Sequence, residues 1–143
     1  MENIGLKGRF HIVKHTMLGD EEIWSDNTVV NDGKATIANF ILKDVAIGSR
    51  FDHLAIGLGS TTPAATQTAL VSEVYTRVDG TGTLAGSTAT LSGQFDISGA
   101  VSISEYAVFN LVAAGSMLCR ASGTAISAVS GDSIGIEYGI IAG

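Results

Sequence analysis

The stretch RFDHLAIGLGSTTPAATQTALVSEVYTR, Arg50 to Arg77, decides the fold class. Leu54, Ile56 and Leu58 recur at every second residue, with Phe51, His53, Ala55 and Gly57 on the opposite side. That is the pattern of a strand covered at least partly on both faces. Gly57 and Gly59 stand where the strand hands over to Ser60-Thr61-Thr62-Pro63. Pro63 is the only proline; it lacks a backbone donor and biases Thr62 toward extended geometry, so regular structure is expected to stop here. Beyond the bend, Leu70, Ser72, Val74, Thr76 and Val78 alternate with Val71, Glu73, Tyr75, Arg77 and Asp79, which predicts a second strand.

Upstream, Leu6, Gly8, Phe10 and Ile12 alternate with Lys7, Arg9, His11 and Val13. This strand turns at Met17-Leu18-Gly19-Asp20 and returns through Glu21 to Ser25, a hairpin with a polar, exposed tip from His15 to Glu22. One helix follows. Asn31 or Asp32 is its expected cap, and Ile37, Phe40, Ile41 and Val45 form an apolar stripe that lays it flat on a sheet. Val45 to Arg50 is a short connection back to the central stretch.

Downstream, Asp79-Gly80-Thr81-Gly82 carries a tight-hairpin signal. Ala89, Leu91, Gly93, Phe95 and Ile97 then alternate with Thr90, Ser92, Gln94 and Asp96, a half-buried strand turned by Ser98-Gly99-Ala100. Val101 to Val112 reads as a long strand with Ile103, Glu105, Ala107, Phe109 and Leu111 on one face. Ala113 to Ser116 closes a hairpin, Met117 to Ala121 returns, and a Ser/Gly/Ala-rich connection leads to a last strand carrying Ile134, Ile136, Tyr138 and Ile140. Eight or so strands and one amphipathic helix make a mainly β protein: an antiparallel β-sandwich, with a jelly roll as one form it can take. The whole chain, 1–143, reads as one such domain, with residues 1–5 as an extended N-terminal arm.

Eighteen glycines and few charges suit tight turns between strands. A net charge of −6, without a basic cluster, argues against direct nucleic-acid binding. No run is long and apolar enough for a membrane helix, and MENIGLKGRF lacks the layout of a secretory signal. Positive mean hydropathy in so small a chain implies that apolar surface is covered by other subunits. Cys119, the only cysteine, reads as a buried strand thiol in a chain made in a reducing cytosol.

No catalytic constellation is marked locally, although Asp52, Glu73, Asp96, Glu105 and Glu137 are carboxylates that could meet in space as the pair of a glycoside hydrolase. His11 and His15 are about 13 Å apart on a strand at about 3.3 Å per residue, so they cannot share a metal ion without a bend. His53 comes from elsewhere, and no metal or cofactor is expected. Gly57-Leu58-Gly59 lacks the third glycine and the helix of a dinucleotide loop, and reads as close backbone packing at a strand end. Glu105 stands out as a carboxylate in an apolar row. It is read as structural, with Arg120 or Arg77 as partner, because an unpaired buried charge is very costly.

Five segments carry a resemblance in the right order: Asn31-Asp32-Gly33-Lys34 before the helix; Phe51 to Ala64; Leu70 with Glu73; Glu105 with Phe109-Asn110; and Gly131-Asp132-Ser133-Ile134. In these the chain resembles a widespread group of small tailed-bacteriophage virion proteins. The resemblance implies a structural particle protein rather than an enzyme. Specifically, it implies a head decoration or cement protein on the capsid exterior, assembled in the host cytoplasm. Such a protein is a homo-oligomer, most commonly a trimer, bound to the major capsid protein lattice. Met1, Glu2, Asn3, Ile4 and Gly5, or the loop holding Ser60, Thr61, Thr62 and Pro63, would be its contact arms. The alternatives are a tail, baseplate or fibre-associated component binding a host glycan, for which Trp24 and Tyr75 are the candidate aromatics, and a small hydrolase.

Overall fold

The computed structural model describes residues 5–42 and 50–142, with residues 39–42 through their backbone. Its elements in order are β1 (Leu6–Thr16), β2 (Gly19–Asp26), β3 (Thr28–Val29), α1 (Asn31–Leu42), β4 (His53–Gly57), β5 (Glu73–Asp79), β6 (Thr81–Ala85), β7 (Thr88–Asp96), β8 (Val101–Phe109), β9 (Met117–Ala128) and β10 (Ser133–Ala142). They form two five-stranded sheets, β2-β1-β10-β7-β6 and β3-β9-β8-β4-β5, in which every pairing is antiparallel. Four hairpins stay within a sheet, whereas in a jelly roll successive strands mostly alternate between sheets.

The alternation along each strand builds the core between the sheets. Phe10, Ile12, Leu91, Phe95, Ile134, Ile136 and Tyr138 from the first sheet meet Leu54, Ile56, Tyr106, Val108, Cys119, Ala121 and Ile126 from the second. The Phe10 ring lies 4.7 Å from that of Tyr138 and 5.8 Å from that of Tyr106, tilted against both. Tyr138 lies over Gly8, where a Cβ would overlap its hydroxyl, and that hydroxyl accepts a hydrogen bond from Asn27 at 2.9 Å. Burial raises the pKa of the Tyr106 and Tyr138 phenols and pushes the Cys119 thiol up to about 11, so all three stay neutral. The second sheet is covered on its outer face as well, by a smaller cluster of Val30, Ala55, Leu70, Ala107, Phe109 and Met117. That double cover explains the nearly unbroken burial of β4 and β8.

Several sequence expectations are corrected. Asp79-Gly80 is not a hairpin turn but the crossing from β5 to β6 in the other sheet. The Gly80 N–H donates to Asp52 O at 2.7 Å, and the missing Cβ makes room for Leu91. The tight hairpin comes one strand later, at Gly86-Ser87, where Gly86 has φ +61°. The Ser/Gly/Ala-rich run after Ala121 continues β9 to Ala128, because Ile126 and Ala128 reach the core. The hairpin tip is exposed but not polar at its apex, since Met17 and Leu18 are fully exposed.

At the start of the helix Lys34 N–H, a donor that either cap could have served, bonds backbone instead, to Val30 O at 3.1 Å, and Asn31 N–H bonds Ala65 O at 2.8 Å. Val45, with the connection to Ser49, lies outside the described residues, as do the side chains of Phe40 and Ile41. Where β3 ends, Val30 N–H still bonds Leu118 O at 3.0 Å, and α1 then packs against β9 through Gly33. A Cβ at Gly33 would stand 2.5 Å from Leu118 O and 2.7 Å from its Cα. Helix propensity alone gives Gly33→Ala a gain of about 1 kcal/mol. The collision with backbone reverses the sign, and urea unfolding of that variant is expected to show a loss of about 1–3 kcal/mol.

Candidate functional site

An irregularity in strand pairing sets the position of Glu105. β8 and β9 pair in step as far as Ile103↔Ile126, and the next pair is Glu105↔Ser122, so β9 carries extra residues between them. The bulge splits the apolar row expected from the sequence. Ile103 packs in the main core with Ile126, whereas Glu105 follows Ala107 and Phe109 on the outer face. Arg120 faces the same way from β9, opposite Ala107 and diagonal to Glu105.

Both side chains are fully buried and form an ion pair, Arg120 Nε to Glu105 Oε1 at 3.0 Å. Oε1 also accepts the Val71 N–H at 2.9 Å, and Oε2 accepts those of Gly59 and Ser72, each at 2.7 Å. Burial acts to raise the Glu105 pKa, but the N–H donors of Ser72, Val71 and Gly59 and the Arg120 guanidinium outweigh it. They hold the carboxyl below its ordinary value of 4.5. The approach is so close that Cβ atoms at Gly57 and Gly59 would each stand 2.6 Å from Oε2, which accounts for the Gly-x-Gly at the strand end.

Arg120 makes three further bonds to the same loop, to Thr61 O at 2.8 Å, Gln67 Oε1 at 3.2 Å and Thr61 Oγ1 at 3.4 Å. Ser122 Oγ donates to Thr61 O at 2.9 Å, and Ser104 Oγ lies 3.0 Å from both Leu58 O and Gly59 O. Gln67 Oε1 also accepts the Ala64 N–H at 2.9 Å. Segment 58–72 is thus fastened along its length. Ser60, Thr61 and Thr62 remain exposed where the segment leaves the end of β4, with Pro63 half-buried. Leu70 to Ser72, expected to begin the second strand, belong to this loop, because the Val71 and Ser72 donors turn to Glu105. A carboxylate with four donors and no solvent access is not placed to exchange protons with a substrate; it fixes a surface. Nothing in their own local sequence marks Gln67, Ser104 and Ser122. Their one signal is adjacency to Glu105, Arg120 and the bend.

Met1, Glu2, Asn3 and Ile4 lie outside the described residues, and Gly5 is exposed just before β1. Arg77 does not reach Glu105. It forms a two-pronged pair with Glu73 at 2.9 and 3.0 Å, donates to Leu111 O and Ala114 O, and lies 3.4 Å above the Phe109 ring. Each histidine faces carboxylates: His11 meets Glu22, His15 meets Asp20, and His53 lies between Asp52 and Asp79. Among the described residues no cluster of three or more His, Cys, Asp or Glu is placed to hold a metal ion, and no helix is long and apolar enough to cross a membrane.

The outer face of the first sheet carries a second feature. Trp24 is 53% exposed, stacked on His11 at 4.0 Å, with Arg9 4.1 Å from its ring. It borders a shallow groove of about 300 Å³ that also touches Lys7, Asp26 and Glu137. Tyr75 is half-buried against the core with φ +62°, and its hydroxyl accepts the Ser98 N–H at 3.2 Å. Compared with known proteins, the chain matches no family model, no curated protein and no solved structure.

Glu105→Gln leaves the Arg120 charge buried without its counterion, and urea unfolding at neutral pH is expected to lose about 3–5 kcal/mol. A carboxyl with a lowered folded pKa contributes stability that is present above about pH 4.5 and lost as pH falls through its folded value. The acid side of the stability curve should therefore flatten in the variant. Adding Arg120→Met to Glu105→Gln removes the orphaned charge and should recover part of the loss.

Proposed function

We propose that this chain is a capsid decoration or cement protein of a tailed bacteriophage. It binds the outer surface of the major capsid protein lattice as a homo-oligomer, stabilises the head, and is assembled in the host cytoplasm. The resemblance of the five sequence segments to small tailed-bacteriophage virion proteins is what supports this choice of family. The observation that carries the reading is the exposed Ser60–Thr62 segment of a loop held by a fully buried ion pair. A loop fixed before contact loses little conformational freedom on docking, which favours binding to a repeating lattice. Such a surface needs neither cofactor nor substrate pocket. A net charge of −6 keeps the protein off nucleic acid, and the lattice would be its partner.

A second reading, a tail or fibre-associated module that binds a host glycan, is favoured by Trp24 beside its groove. The two separate by location. Purified protein added to shells that lack it is expected to sediment with them, and imaging should place copies across the whole shell. Ser60→Arg with Thr62→Arg should lower shell affinity by about tenfold or more, ~1.4 kcal/mol, with the thermal midpoint unchanged. Absence of shell binding, or copies confined to the tail axis, would refute the decoration reading.

A further inference from the structure

A β-sandwich leaves four edge strands, each a template for pairing with another chain unless it is blunted. Three are blunted here. β2 carries Asp20, Glu21, Glu22 and Asp26, so two copies meeting there would set like charges together. β3 is two residues long, and α1 follows it directly. β5 is broken by a register shift and by the positive φ of Tyr75, and it carries Glu73, Arg77 and Asp79. β6, Thr81-Gly82-Thr83-Leu84-Ala85, has no charge, no proline and no irregularity in its pairing with β7, and all five residues are exposed.

We infer that β6 pairs antiparallel with β6 of a second copy about a two-fold axis at Thr83, joining the two β6-bearing sheets into one. An antiparallel pair keeps facing residues on the same side of the sheet, and full overlap sets Thr83 against Thr83, Gly82 against Leu84, and Thr81 against Ala85. Leu84 is 84% exposed, while the space where a Gly82 Cβ would stand is empty to 4 Å. In this register each Leu84 fills the gap at the other copy's Gly82. Both residues lie on the inward side with Leu91, beside an apolar opening of about 480 Å³ whose lining includes Leu6 and Ile140. The pairing therefore covers apolar surface as well as backbone donors and acceptors. On the outer side it meets Thr83 with Thr83 and Thr81 with Ala85.

The partner is a second copy because the strip is self-complementary and, of the three edges longer than two residues, is the one where a chain of net charge −6 meets itself without setting like charges together. An isologous contact of this kind closes at two. A trimer would need β6 to meet a different edge head to tail, and the other edges are those already blunted. The inference stands independently of capsid binding.

Sedimentation velocity of the full chain over a wide concentration range tests it. The expected species has twice the 14.7 kDa chain mass. Leu84→Lys should return it to the single-chain mass while keeping a cooperative thermal transition, its midpoint lower only by the lost association and no longer dependent on concentration. Thr83→Cys should form a covalent dimer under mild oxidation, since Cys119 is buried and does not compete. This decides the matter should Leu84→Lys fail to fold. A single-chain mass at every concentration, a three-chain mass, a dimer unaffected by Leu84→Lys, or no cross-link through Thr83→Cys would overturn the pairing.

Discussion

A carboxylate sealed from water is stable only if its lone pairs are filled, and the Glu105 carboxylate is filled by four donors from three places in the chain. The requirement runs both ways. Gly59, Val71 and Ser72 turn their N–H groups toward the carboxylate, and a donor buried without a partner would cost about 1–3 kcal/mol. The Gly57 and Gly59 backbone, the bend and the start of β5 are therefore arranged around one side chain. Arg120 completes the arrangement by neutralising the charge and holding Thr61 and Gln67. A buried pair of this type contributes modest net stability against an apolar replacement, and its value lies in specifying a single loop conformation.

The same device appears a second time. Arg77 is paired with Glu73, stacked over Phe109 and bonded to the carbonyls of Leu111 and Ala114, and so it ties the β8–β9 connection to β5. Ala114 and Gly115 in that connection both have positive φ, and the Asn110 side chain accepts the Ser116 N–H at 2.7 Å to hold the turn. Two arginines thus anchor two loops to one sheet, while the other sheet shows solvent its Trp24 face and its uncharged β6 edge. Both loops are thereby held in one conformation against the same sheet.

Period-2 alternation made most strands legible, because most have one face in the main core: Phe10 and Ile12, Leu91 and Phe95, and Ile134 to Tyr138 announce themselves. Glu105 was legible as a charge in need of a partner, since a carboxylate amid apolar neighbours is costly, but the choice between Arg120 and Arg77 depends on a cross-strand register that no local pattern encodes. β6 and the end of β9 were not legible, because Thr81 to Ala85 and Ser122 to Ala125 bury too little apolar surface to alternate visibly. Asp79-Gly80 misled for a physical reason. The flexibility that makes a tight hairpin also serves a crossing between sheets, and which one forms was decided by Leu91 and Asp52, both distant in sequence.

Hydrogen exchange at single amides tests the central claim, that one buried carboxylate fixes segment 58–72. In the native protein the amides of Gly59, Val71 and Ser72 should exchange as slowly as those of the core strands β8 and β10, because their acceptor is sealed. In Glu105→Gln these three should lose protection well beyond the general loss of stability, with β10 tracking the global change. Equal loss at all sites, or fast exchange of the three in the native protein, would contradict the account.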